Sequence, residues 1–160
     1  MRLLIRLIAA AALVSLALPA AAQDKVRLLL DWFVNPDHAA LVIAKQRGIF
    51  TKHGLDVELI APADPNAPSK LVAAGQAEYA LSYQPTLQML AAEGLPLVRV
   101  GVLVAQPLNS LVALEDGPVK SIADFKGRKI GYSIAGFEEA LLGAILEKAG
   151  LTLKLSLIHI

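Results

Sequence analysis

Short apolar runs alternate along the chain with segments of helical spacing. Residues 26–31 form an apolar run of strand length, too brief for a helix. Asp37 is placed to cap the helix that follows, in which Ala40, Ile43, Ala44 and Arg47 recur at helical spacing before Gly48 stops it. Residues 56–60 alternate polar and apolar as a second strand. A loop crowded with Pro62, Pro65 and Pro68 leads to a compact helix over 69–74, stopped by Gly75. Residues 78–82 read as a third strand, and 85–92 as a helix with proline in its first turn and Gly94 as its stop. Residues 97–104 form the longest strand-like run, and 110–114 another. Ser121 opens a short helical turn, 130–132 is a strand, and 137–149 is a helix ended by Gly150.

This alternation predicts an α/β fold, mainly parallel sheets with right-handed crossovers and helices on both faces. A crossing between two lobes is expected between Gln106 and Pro118. Residues 23–108 then form the first part of lobe I, and 109–154 the start of a lobe II that is incomplete in this chain.

The first 22 residues follow another pattern. Arg2 and Arg6 precede an apolar stretch over 7–18, and Ala20, Ala21 and Ala22 form a small-residue cleavage site. The stretch is shorter than the about 20 residues needed to span a bilayer, so a cleaved secretory signal is expected rather than a stable membrane anchor. The mature chain is then expected to be periplasmic. The last residues also stand apart. The alternation up to Leu157 suits a half-buried strand, but 155–160 is also what the codons CTG TCT CTT ATA CAC ATC would encode. That string resembles a transposon end used in sequencing-library preparation, so authentic polypeptide is expected to end near Leu153 or Lys154.

Composition narrows the partners. Without Arg2 and Arg6, 13 basic residues face 14 acidic ones, and no basic cluster supplies a footprint for nucleic acid. The chain has no cysteine, which excludes a disulfide framework, a thiol nucleophile and a cysteine-ligated metal within it. The three histidines, His38, His53 and His159, show no metal-ligand spacing.

Ligands of open parallel sheets bind at the carboxyl ends of strands, where loops converge. Trp32 lies in a polar loop there and suits a stacking platform for a flat heterocycle, with core packing as the alternative. Tyr83 suits the opposite wall, or a cap on the core. Asn35, Gln84 and Asn109 offer paired donors and acceptors for a ring nitrogen and an exocyclic amine, though each also suits a turn. His38 is a ligand contact or a helix-start residue held by backbone. Ser133 and Gly136 precede a helix whose backbone N–H groups suit an anion, and Glu138 is either an acid/base group or a favourable charge at that helix start. Neither Ser82 nor Ser133 sits in a nucleophile elbow, so no catalytic residue is assigned.

The strings Asp31-Trp32-Phe33-Val34-Asn35-Pro36-Asp37-His38, Gly48-Ile49-Phe50, Gly54-Leu55-Asp56-Val57-Glu58, Ser82-Tyr83-Gln84-Pro85 and Lys126-Gly127-Arg128-Lys129-Ile130-Gly131-Tyr132 together resemble the NMT1/THI5-like family of type II periplasmic binding proteins. The segment with Gly48, Gly54 and Asp56 is shared with sulfonate, taurine and nitrate binders. The Trp32, Asn35, His38 pattern with Ser82-Tyr83-Gln84-Pro85 is narrower and looks like the branch that captures thiamine pyrimidine precursors for an ABC transporter permease. The resemblance implies a pyrimidine gripped by aromatic side chains between two lobes, with Trp32 and Tyr83 as the matching positions and no cofactor. It also implies an alternative, the fungal-type pyrimidine phosphate synthase with pyridoxal phosphate and iron, in which His38 would match a histidine consumed in the reaction. Export separates this chain from the cytoplasmic pyridoxal phosphate pool and favours the binding protein.

Overall fold

The computed structural model describes residues 22–133 and 137–152 and the backbone of Leu157–His159. The proposed cleavage signal up to Ala21, Gly136, and residues 153–156 and 160 of the unusual tail lie outside the described residues.

The chain is an α/β fold built on two parallel sheets. In the first, β1 (Asp24–Leu29) lies between β2 (Leu55–Ile60) and β3 (Tyr79–Ala80). The register pairs Leu29 with Ile60 on one side and with Ala80 on the other. Leu29, Leu30 and Val57 are buried along these strands, and Ala77 and Leu90 are buried in the flanking segments. In the second sheet β4 (Ile130–Tyr132) pairs in parallel with β5 (Leu157–His159). Its core is Ile130, Leu142 and Leu146, with Phe125 and Leu151 packed against it.

Helices α1 (Ala39–Gln46), α2 (Ile49–Lys52), α3 (Pro68–Ala73), α4 (Gln84–Ala92) and α5 (Phe137–Lys148) fill the connections. Gly48 takes a left-handed φ of 66° and turns the chain from α1 into α2, which packs on β2. The glycines read as stops act by a common geometry. After α3, the Gly75 amide donates to Val72 O and the Gln76 amide to Leu71 O, satisfying carbonyls the helix would otherwise leave open. The same pair of bonds closes α4 at Gly94 and Leu95, and α5 at Gly150 and Leu151.

Two expected elements are absent. Residues 97–104 and 110–114 are not strands, although their composition favours one. A strand needs a neighbour to take its N–H and C=O groups, and nothing among the described residues pairs with this stretch. Val98, Val100 and Val112 are consequently 83%, 75% and 87% exposed. The cap of the first helical segment also differs. Asn35, not Asp37, is the N-cap, because a single 3-10 turn over Pro36–His38 precedes α1. No helix among the described residues is long and apolar enough to cross a membrane.

Candidate functional site

Parallel pairing fixes where the site lies. Because Leu29 stands opposite Ala80, with Leu81 N–H donating to Leu29 O, the chain leaves β1 and β3 at the same end of the sheet. Asp31 and Tyr83 are thereby brought together, close enough for the Asp31 carboxylate to act on the Tyr83 hydroxyl. Burial, followed by that contact and the charges of Asp31, Glu138 and Asp37, pushes the phenol well above its usual range.

The Tyr83 ring lies on Phe137, with centroids 5.0 Å apart and planes 26° from parallel. Phe137 opens α5 and is buried at 3% exposure, so this stack links the end of the first sheet to the first helix after β4. Beside it is a cavity of about 170 Å³, lined on its polar side by Asp31, Ser82, Lys70 and Glu93 and on its apolar side by Tyr83, Phe137 and Met89. An apolar cavity of about 150 Å³ accommodates benzene, so the volume is that of one six-membered ring.

His38 lies behind this wall. It is 1% exposed, and its Nε2 is 2.8 Å from Asp31 Oδ1. Its Nδ1 accepts the Asn35 amide at 3.3 Å, so the ring proton sits on Nε2 and is donated to Asp31. Asn35 is used in the turn as well: its Oδ1 accepts the Asp37 amide at 2.9 Å and its Nδ2 donates to Phe33 O at 3.0 Å. An imidazole buried in this way and bonded at both nitrogens supports the loop.

The expected site residues fall into separate groups. Among the described residues of this set, Tyr83 alone lines the 170 Å³ cavity. Trp32 is half-buried and meets Phe33 edge to face at 5.7 Å; among the described residues no ring contact joins it to Tyr83. Gln84 is exposed at the start of α4, where its Oε1 accepts Arg99 Nη1 at 2.8 Å. Asn109, Ser133 and Glu138 line a second cavity of about 310 Å³ between the segment at 109–111, β4 and α5. There Glu138 Oε2 accepts the Ser133 amide at 2.8 Å, and Glu138 Oε1 accepts Asn109 Nδ2 at 3.3 Å. Gly136 lies outside the described residues. Among the described residues no cluster of three His, Asp or Glu side chains has the geometry to hold a metal ion.

Sequence reasoning assigned no ligand contact to Phe137 or Asp31. Phe137 reads as an ordinary helix-start residue, and only the fold shows that it meets Tyr83. Asp31 was legible as a carboxylate at a strand end, without the partners that define it.

Comparison with known proteins agrees with this architecture. The chain is 54% identical over 139 residues to a Haemophilus influenzae protein named for thiamine biosynthesis, covering 87% of this chain and 44% of that protein. It is 36% identical over 129 residues to a formylaminopyrimidine-binding protein of Halalkalibacterium halodurans, covering 81% and 39%. It is 27% identical over 129 residues to a 4-amino-5-hydroxymethyl-2-methylpyrimidine phosphate synthase of Legionella pneumophila, covering 81% and 40%. The chain thus spans less than half the length of each of these relatives. Residues 35–158 match the family described as NMT1/THI5 like, and the chain belongs to that family.

Proposed function

We propose that this protein is the solute-binding component of an ABC transporter, capturing a thiamine pyrimidine precursor of the hydroxymethylpyrimidine or formylaminopyrimidine type in the periplasm and delivering it to a membrane permease. The observation that carries the reading is the ring-sized cavity beside the Tyr83–Phe137 stack, with the Asp31 carboxylate at its edge. A flat ring buries its faces against aromatic side chains, while a few polar groups fix its orientation. The similarity to a formylaminopyrimidine-binding protein supports the ligand class. The signal-like pattern over residues 1–22 supports export. Delivery follows from closure of two α/β lobes on the ligand, the closed form being the one a permease recognises.

A second reading, the pyrimidine phosphate synthase, is favoured by relatives that carry that name. The burial of His38 weighs against a reaction that consumes it. Calorimetric titration of the full chain with 4-amino-5-hydroxymethyl-2-methylpyrimidine, followed by mass spectrometry of the mixture, separates the two. Saturable binding with the pyrimidine recovered unchanged is the expected result. A pyrimidine product formed from the chain's own histidine would replace the transport reading with the enzyme. Preferential binding of taurine, another sulfonate or nitrate would move the cargo class.

A further inference from the structure

Among the described residues Asp31 is a carboxylate paired with a histidine rather than with a lysine or arginine. Its side chain is 18% exposed, at the edge of the cavity. The side chain that holds it is His38, whose Nε2 lies 2.8 Å from Asp31 Oδ1, and the Tyr83 ring lines the same cavity. Among the described residues no lysine or arginine lies within ion-pair distance of it. A carboxylate has about four lone-pair positions, and one donor leaves capacity for a ligand in the cavity that Asp31 lines. Removing a charge from water without a partner is unfavourable, so a ligand that brings strong donors or positive charge gains by completing the site.

The rest of the lining has the same sign. Asp31 and Glu93 against Lys70 leave one net negative charge on the cavity wall, and Glu138 and Asp37 lie near enough to act on Tyr83. An anion entering here meets like charge in a partly desolvated space, where Coulomb repulsion is stronger than in water.

We propose that Asp31 is the specificity-determining acceptor of the site: it receives the exocyclic amino group and adjacent ring nitrogen of an aminopyrimidine, and it excludes anionic cargo, including the phosphate ester of that pyrimidine. The 4-amino group donates one N–H to the carboxylate, and the neighbouring ring nitrogen, once protonated, donates a second. His38 acts as the positioning residue that holds the carboxylate at the cavity edge. This inference rests on the proposed function and adds which edge and charge state of the ligand are read.

The test compares three ligands by calorimetry on the full chain: 4-amino-5-hydroxymethyl-2-methylpyrimidine, its analogue lacking the amino group, and its phosphate monoester. The wild-type chain is expected to bind the first at least tenfold more tightly than either of the others. Asp31→Asn is expected to weaken binding of the aminopyrimidine at least tenfold and to narrow the gap to the phosphate ester. Thermal melting of the variant reports whether it folds; if it does not, the three wild-type affinities decide. Equal wild-type affinity for the amino and deamino compounds, or for the phosphate ester, overturns the assignment while leaving pyrimidine binding in place. A folded Asp31→Asn chain with unchanged affinity does the same. Failure of the wild-type chain to bind any pyrimidine removes the proposed function, and this inference with it.

Discussion

Tyr83, which follows β3, and Phe137, which opens α5, form a stacked pair 5.0 Å apart that bridges the end of the first sheet and α5. Phe137 is almost completely buried, and both rings line the cavity that Asp31 also lines. Structure and cavity wall are thus made of the same two rings.

Removing one ring should separate these roles. Phe137→Ala is expected to cost about 3 kcal/mol of stability, as truncation of a buried phenylalanine does. Tyr83→Phe keeps the stack and loses only the hydroxyl, with an expected cost of about 1 kcal/mol. Urea denaturation of both variants checks the order; equal losses would mean that the ring contact contributes no more than the hydroxyl.

His38→Ala should destabilise the chain by about 2 kcal/mol, because it leaves the Asn35 amide and one side of Asp31 without their partner and opens a cavity. Denaturant midpoints measure this. A stability unchanged within a few tenths of a kcal/mol would contradict the supporting role assigned to the imidazole.

Glu78 gives a pH signature. Its carboxylate accepts the Arg27 guanidinium at 2.7 Å and the Arg27 amide at 2.7 Å, bonds that hold its pKa down at about 2 against an ordinary 4.5. A depressed folded-state pKa contributes stability that is fully present above 4.5 and lost as pH falls towards about 2. The difference in stability between wild type and Glu78→Gln should therefore shrink as pH falls through that window and be flat above it. A difference constant from neutral pH down to 2 would show that the ion pair is not formed in solution. Because both side chains are largely exposed, added salt should reduce the effect.

Gly75 has φ of 70°, and a Cβ placed there would meet no atom within 4 Å. Gly75→Ala thus isolates backbone strain from crowding. The expected loss is about 1–2 kcal/mol, the cost of a left-handed conformation for an L residue. A neutral result in thermal melts would mean that the end of α3 relaxes to another turn.

The legible parts of this fold are those set by local chemistry. Gly75, Gly94 and Gly150 marked helix ends because each permits the positive φ at which orphan carbonyls find donors. Residues 97–104 misled because a run of valines carries strand propensity but not a strand neighbour, and neighbours are decided by the whole fold. Tyr83 was legible as a strand-end aromatic. Its stacking on Phe137, more than fifty positions later, left no local trace. Asn35 and His38 suited ligand contact by type, yet their hydrogen bonds go to the loop itself, the alternative that their helix-start position also offered.

The most direct measurement is the affinity of the full chain for 4-amino-5-hydroxymethyl-2-methylpyrimidine beside that of Tyr83→Ala, with folding of both verified by circular dichroism. The expected result is one-to-one saturable binding by the wild type and at least a tenfold loss in the variant, since stacking on one aromatic face is worth about 1–3 kcal/mol. Equal affinities in two folded chains would place the pyrimidine elsewhere and contradict the site at the ends of β1 and β3.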